Sequence, residues 1–194
     1  PSWQRAFFAP SRVYGDTQHS YPLEVLSQVF GGGATSRLYR SLVIERKLAL
    51  SANSFYDADK LGPSNFFVFA SPRPGVSMDQ IENAVASEIK KLRENGVSQE
   101  ELVRAKTGLQ AEAVFARDSM GAGARVLGAA LSSGQTVADV EAWPDRIGRV
   151  TAVQVKAAAN RVLRQKEAVT GYLLSGQPTP NQPQTNRPQT NMGG

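Results

Sequence analysis

The chain has 194 residues, with 22 Lys and Arg against 17 Asp and Glu, a net charge of +5, and 41% hydrophobic residues. Such proportions suit a chain that builds a hydrophobic core, and no uncharged apolar stretch approaches the roughly 18 residues of a membrane-spanning helix. With no cysteine and one histidine, His19, the chain has no disulfide, no thiol nucleophile, no Cys-ligated zinc and no two-histidine metal cluster.

In chain order, Pro1 to Pro10 lacks the charged head and continuous apolar run of a secretory signal, and the chain reads as if cut from something longer. Trp3 to Ala9, closed by Pro10, is predicted to be a strand, and Tyr21 to Phe30 an amphipathic helix with Pro22 in its first turn, where a missing N–H costs nothing. After three glycines, Ser36 to Leu48 returns to helical spacing, with Leu38, Leu42, Val43 and Ile44 on one stripe. Ala49 to Tyr56 and Phe66 to Ala70 read as two strands of a hairpin-like pair joined by the turn-rich Asp57 to Asn65.

Three helix starts are marked by a hydroxyl residue three places before Glu or Gln: Ser77/Gln80, Ser98/Glu101 and Thr151/Gln154. In such a capping box each side chain satisfies an orphan backbone N–H of the other residue. The first of these helices, Ser77 to Glu94, buries Ile81, Val85, Ile89 and Leu92 and stops at Asn95-Gly96. The second runs from Ser98 to about Asp118 with Leu102, Ala105, Leu109, Ala113 and Val114 on one face. Met120 to Ser133, Thr136 to Val150 and Thr151 to Leu163 complete the helices, the first of these packing closely through Val126, Leu127 and Leu131 among small residues. Ala168 to Leu174 returns the chain to the sheet, giving an α+β fold with helices layered on a largely antiparallel sheet. One domain, 1–174, is followed by a tail, 175–194, rich in Pro, Gln, Asn and Thr, with an internal repeat and nothing to bury, predicted to be disordered.

The densest basic clusters, Lys90-Lys91-Arg93 and Arg161-Arg164-Lys166, fall among acids or at helix ends, and no basic stripe with stacking aromatics points to nucleic acid. His19 has no G-x-S-x-G elbow to serve as the base of a serine triad. The run Gly31-Gly32-Gly33 is the most unusual feature. A phosphate cradle would need a preceding strand and a closing G-K-[ST], which are missing, so the run is either a flexible joint between helices or a functional loop.

With its flanks, Leu26-Ser27-Gln28-Val29-Phe30-Gly31-Gly32-Gly33-Ala34-Thr35-Ser36-Arg37-Leu38-Tyr39, followed by Leu48-Ala49-Leu50-Ser51-Ala52, resembles the signature of the pitrilysin (insulinase, mitochondrial processing peptidase; M16) family of zinc peptidases. The likeness is to a later, non-zinc domain of the bacterial two-subunit kind. Phe115-Ala116-Arg117-Asp118-Ser119, Leu127-Gly128, Trp143-Pro144-Asp145-Arg146-Ile147 and Val169-Thr170-Gly171-Tyr172-Leu173 extend it to residues 1–174. The resemblance implies a LuxS/processing-peptidase-like metallohydrolase half.

The family's H-x-x-E-H zinc motif is missing from the chain, so no residue here is expected to be catalytic or to bind metal, and zinc is expected in the parent enzyme. The resemblance implies a C-terminal domain that completes a peptide-binding chamber, with Gly31, Gly32, Gly33 and Ser36 as substrate-binding residues at its rim. Partners implied are an N-terminal zinc-bearing domain, the peptide substrate, and a second family subunit. That subunit would supply the family's R-x6-Y pair, a cation and a phenol near the scissile carbonyl, because Val43 and Leu50 stand at the two positions here. A non-catalytic scaffold of the same fold and an unrelated α+β binding module are the alternatives. The lack of cysteine suits periplasm or cytoplasm of a bacterium equally.

Overall fold

The computed structural model describes residues 1–117 and 121–174. Strands β1 (Ser2–Ala9), β2 (Ala49–Tyr56), β3 (Ser64–Pro72) and β4 (Ala168–Leu173) form one antiparallel sheet in the order β2-β3-β1-β4. Alternation in β1 places Trp3, Phe7 and Ala9 on the inner face and Phe8 on the outer one, as period-2 geometry requires. Phe7 pairs with Phe66 of β3 and with Ala168 of β4, so the chain's last described strand closes onto its first. Arg5 is buried on the inner face, where Nε donates to Thr170 Oγ1 at 2.8 Å, a second nitrogen pairs with Glu82, and the guanidinium lies over the Trp3 ring.

Seven α-helices are described; the first, second and seventh pack on the inner face of the sheet, and the third to sixth pack against other helices. Helix α1 (Ser20–Gly31) lies against β2 and buries Leu23, Leu26 and Phe30 completely, each side chain contributing about 1.5–3 kcal/mol of transfer free energy. Helix α2 (Met78–Asn95) buries Ile81, Val85, Ile89 and Leu92, and α7 (Ala152–Val162) buries Val155, Ala158, Ala159 and Val162 beside it. Capping boxes open both, and Ser98 and Glu101 exchange the same pair of bonds at the start of α3 (Gln99–Arg117). The remaining helices are α4 (Ala122–Ser132), α5 (Val137–Glu141) and α6 (Trp143–Arg149). No described helix is long and apolar enough to cross a membrane.

Several predicted elements differ in detail. Ser36 to Leu48 is helical, but its core, Tyr39–Glu45, is wound as a π-helix: Arg46 N reaches back five residues to Ser41 O at 2.9 Å. Thr136 to Val150 is two helices, because Pro144 cannot continue the helix that precedes it. On α3 Val114 is exposed, and on α4 Val126 and Leu131 are half-exposed, so these apolar residues do not face the core. The predicted tail at 175–194 and the residues 118–120 of the proposed helix junction lie outside the described residues.

Candidate functional site

The glycine run divides into parts with different physical roles. Gly31 is the last residue of α1 and is buried against β2: a methyl group there would come within 1.8 Å of Ser54 N and 2.5 Å of Asn53 C. Helix and strand therefore touch backbone to backbone, and Ser54 Oγ donates to Ser27 O at 2.9 Å across the same contact. Gly32 N still bonds Gln28 O at 3.0 Å. Gly33 takes φ +90°, a conformation that favours glycine, is exposed, and has open space where a side chain would be.

Ser36, buried under the turn, closes it by donating from both N and Oγ to Gly33 O, at 3.2 and 2.7 Å. The fold thus gathers Gly32, Gly33, Ala34 and Thr35 into one short exposed turn with Ser36 as its internal strut. A small hollow of about 40 Å³ beside it is lined by Gln28, Gly32, Thr35, Ser36, Glu101 and Arg104.

Arg37 anchors the exit of the turn. Its Nε and Nη2 clasp both oxygens of Glu101 at 2.6 Å, and Nη2 also reaches Gly96 O at 2.9 Å. Burial raises the Glu101 carboxyl, but the Arg37 fork and the Ser98 backbone N–H outweigh it and hold the group at about 2. The glycine turn, the α2–α3 junction and the π-helix are therefore tied together.

Val43, on the π-helix, is buried in the core, whereas Leu50 is 58% exposed where β2 bulges between Ala49 and Ser51. Neither side chain can donate a hydrogen bond, so these two positions present no cation and no phenol. Among the described residues no group of three or more His, Cys, Asp or Glu is placed to hold a metal ion. His19 ends the single turn Thr17–His19 before α1, and burial lowers its pKa.

Sequence reasoning missed a second polar assembly on the helical side. Arg12 pairs with Glu24 of α1 and, through Nε at 2.8 Å, with Asp59 in the β2–β3 loop. Trp143 Nε1 donates to Glu24 Oε2 at 3.0 Å, and Gln135 Nε2 to Asp59 Oδ1 at 2.9 Å. Burial pushes the Glu24 carboxyl up while Arg12 and Trp143 pull it down; burial alone would lower Arg12, and the two carboxylates more than offset that.

A profile of the peptidase M16 inactive domain matches residues 2–109, more than half of the chain. The chain belongs to the peptidase M16 inactive-domain family. This M16 inactive domain is 28% identical over 153 residues to an uncharacterized zinc protease of Streptomyces coelicolor, covering 79% of this chain and 33% of that protein. It spans, then, about a third of the length of that relative. Its fold matches the inactive peptidase domain of a candidate zinc protease from Bordetella parapertussis at TM-score 0.79 and 20% identity, over 92% of both chains. A protease from Helicobacter pylori matches at TM-score 0.79 and 19% identity, over 87% of this chain and 40% of that one. The expected α+β architecture and family are therefore those of the M16 inactive domain.

Proposed function

We propose that this M16 inactive domain, residues 1–174, completes the peptide-binding chamber of a zinc metallopeptidase whose H-x-x-E-H site lies in another domain. The observation that carries the reading is the family match over 2–109 in a chain with one histidine and no cysteine. Within this reading the exposed turn at Gly32 and Gly33 meets the substrate, while Gly31 and Ser36 hold the turn in place from below. With no side chain at Gly32 or Gly33, an extended peptide can approach this part of the turn closely, which suits sequence-tolerant binding.

Val43 and Leu50 leave this domain without donors for an oxyanion, whose stabilisation is typically worth on the order of a hundredfold in rate. A second family subunit bearing Arg and Tyr at the equivalent positions supplies them in this account. The test is a peptide-hydrolysis assay of the full-length zinc-bearing protein with Gly32 and Gly33 replaced by alanine. The reading expects kcat/KM to fall severalfold even at a temperature where circular dichroism shows the variant fully folded, since φ +90° at Gly33 and the approach of Gln28 to Gly32 will also lower the melting temperature by roughly a few degrees. Unchanged turnover with a lowered melting temperature would make the turn purely structural, and no hydrolysis by the parent protein with any partner would favour the scaffold alternative.

A further inference from the structure

A groove of about 590 Å³ runs between α2 and the end of α7, within the range of small-ligand sites. Arg5 and Phe7 of β1 form its floor. Ser87, Lys90 and Arg93 of α2 stand on one side, and Gln165, just beyond α7, on the other. No residue of the glycine turn takes part.

Arg5 is only 3% exposed, yet its guanidinium is not fully engaged. Nε donates to Thr170 Oγ1 and Nη2 to Glu82, while Nη1 has no partner among the described residues. Unlike the buried Trp3 Nε1 and Arg12 Nη1, this atom is not sealed from solvent, so it is a donor that a ligand in the groove can reach. A guanidinium holds its N–H donors in a fixed plane, and one left unmatched in a buried place costs free energy until an acceptor meets it.

Two further cations stand at the rim. Arg93 gives Nε to Asn160 Oδ1 at 3.2 Å and keeps Nη1 and Nη2 without a hydrogen-bond partner among the described residues. Lys90, on an exposed side chain, lies 3.9 Å from Glu94, a loose pair that contributes little in water. Glu94 is the one carboxylate among the described residues that line the groove, against the three cations. Glu82, bonded to Arg5 and to Tyr172, lies outside the lining, and counting it still leaves an excess of positive charge.

We propose that this groove binds a phosphate group, free or as a monoester, with Arg5 Nη1 donating from the floor and Arg93 and Lys90 from the rim. The Ser87 hydroxyl and the Gln165 amide stand beside it as further donors. A phosphoryl group directs three acceptor oxygens apart, which matches donors that arrive from the sheet, from α2 and from beyond α7; a carboxylate has two oxygens in one plane and half the charge. A cation would meet three groups of its own sign, and a neutral apolar ligand would leave Arg5 Nη1 unmatched.

The test is an NMR titration of the isotopically labelled 194-residue chain with inorganic phosphate, phenyl phosphate and phenylacetate, reading the Nε–H signals of Arg5 and Arg93 and the side-chain amide of Gln165. It is run at about pH 7.5, where a phosphate monoester is largely a dianion, with chloride holding the ionic strength constant. Both phosphates are expected to give saturable shifts at these probes, with phenylacetate about tenfold weaker for the loss of a charged hydrogen bond. Tighter binding of phenyl phosphate than of inorganic phosphate makes a monoester the ligand, and the reverse order makes it free phosphate. Ser87→Glu, which sets a carboxylate in the groove, should abolish the shifts, and Lys90→Gln, on an exposed side chain, should weaken both phosphates severalfold. Arg5→Lys keeps a cation beside Glu82 but removes Nη1 and should weaken them about tenfold; should that variant not fold, the two α2 variants decide. Shifts that chloride alone reproduces, equal affinity for phenylacetate and phenyl phosphate, shifts that map elsewhere, or binding that survives Ser87→Glu would each overturn the proposal.

Discussion

Replacing Gly31 by alanine puts the packing account of the glycine run to a quantitative test. The added methyl would stand 1.8 Å from Ser54 N and 2.5 Å from Asn53 C, against the roughly 3.5–4.0 Å of an ordinary carbon contact, so α1 must retreat from β2 by about 1.5 Å. The obstructing atoms are strand backbone and cannot rotate away. The retreat would loosen Leu26 and Phe30, both fully buried, and overpacking of this kind costs about 3 kcal/mol. For a chain of this size that corresponds to a fall in Tm of about 6–12 °C. Gly33→Ala is the internal comparison: nothing lies within 4 Å, and the only penalty is φ +90°, about 1–2 kcal/mol. Urea unfolding followed by circular dichroism, with calorimetry alongside, measures both. If Gly31→Ala stays within about 0.5 kcal/mol of the parent, or costs less than Gly33→Ala, the backbone-to-backbone contact is not what fixes α1.

Three further outcomes follow from other elements. Glu101 is held at about 2 when folded, below its ordinary 4.5, so its stabilisation is present above the ordinary value and lost as pH falls from about 5 toward 2. Glu101→Gln should flatten that part of the stability profile by about 1.5 kcal/mol, less than the full shift because the pair is partly solvated. Val43→Arg should destabilise by about 3 kcal/mol by burying an unpaired guanidinium, whereas Leu50→Tyr, at an exposed bulge, should unfold within about 0.5 kcal/mol of the parent. Thr136→Ala removes the acceptor for Asp139 N and should cost about 1 kcal/mol by the same unfolding measurement.

What the sequence disclosed was local chemistry with a fixed spacing. The boxes at Ser77, Ser98 and Thr151 need residues three apart and nothing else, and all three form. Thr136 and Asp139 make the same reciprocal bonds, but a template written for Glu or Gln passes over the shorter carboxylate. The predicted stripe of Leu38, Leu42, Val43 and Ile44 fits both α and π windings, but only the first three are buried, and Ile44 is exposed. A tertiary bond and a local one accompany the π form: Ser41 Oγ donates to buried Glu88 at 2.9 Å, and Leu48 N, just past the helix, donates to Leu42 O at 2.8 Å. Periodicity located the apolar face of α4 without saying what covers it, and Val126 turned out to line an open cleft instead of the core.

The candidate site was legible in composition more than in mechanism. A run of three glycines announces an unusual backbone, but only the sheet reveals that Gly31 is a contact surface and Gly33 a turn. The assembly of Arg12, Glu24, Asp59, Gln135 and Trp143 carried no sequence signal, because its members are drawn together from the β1–α1 and β2–β3 loops, α1, the α4–α5 connection and α6.

The most direct test of the account is a reconstitution: peptide hydrolysis and bound zinc measured for this chain alone with added Zn²⁺, and again with a family member bearing H-x-x-E-H and one bearing the Arg/Tyr pair. The account predicts no hydrolysis and no zinc retained after dialysis for the chain alone, with cleavage appearing only when the zinc-bearing and Arg/Tyr-bearing partners are supplied. A dialysed chain that holds one equivalent of zinc and cleaves peptide by itself would contradict it.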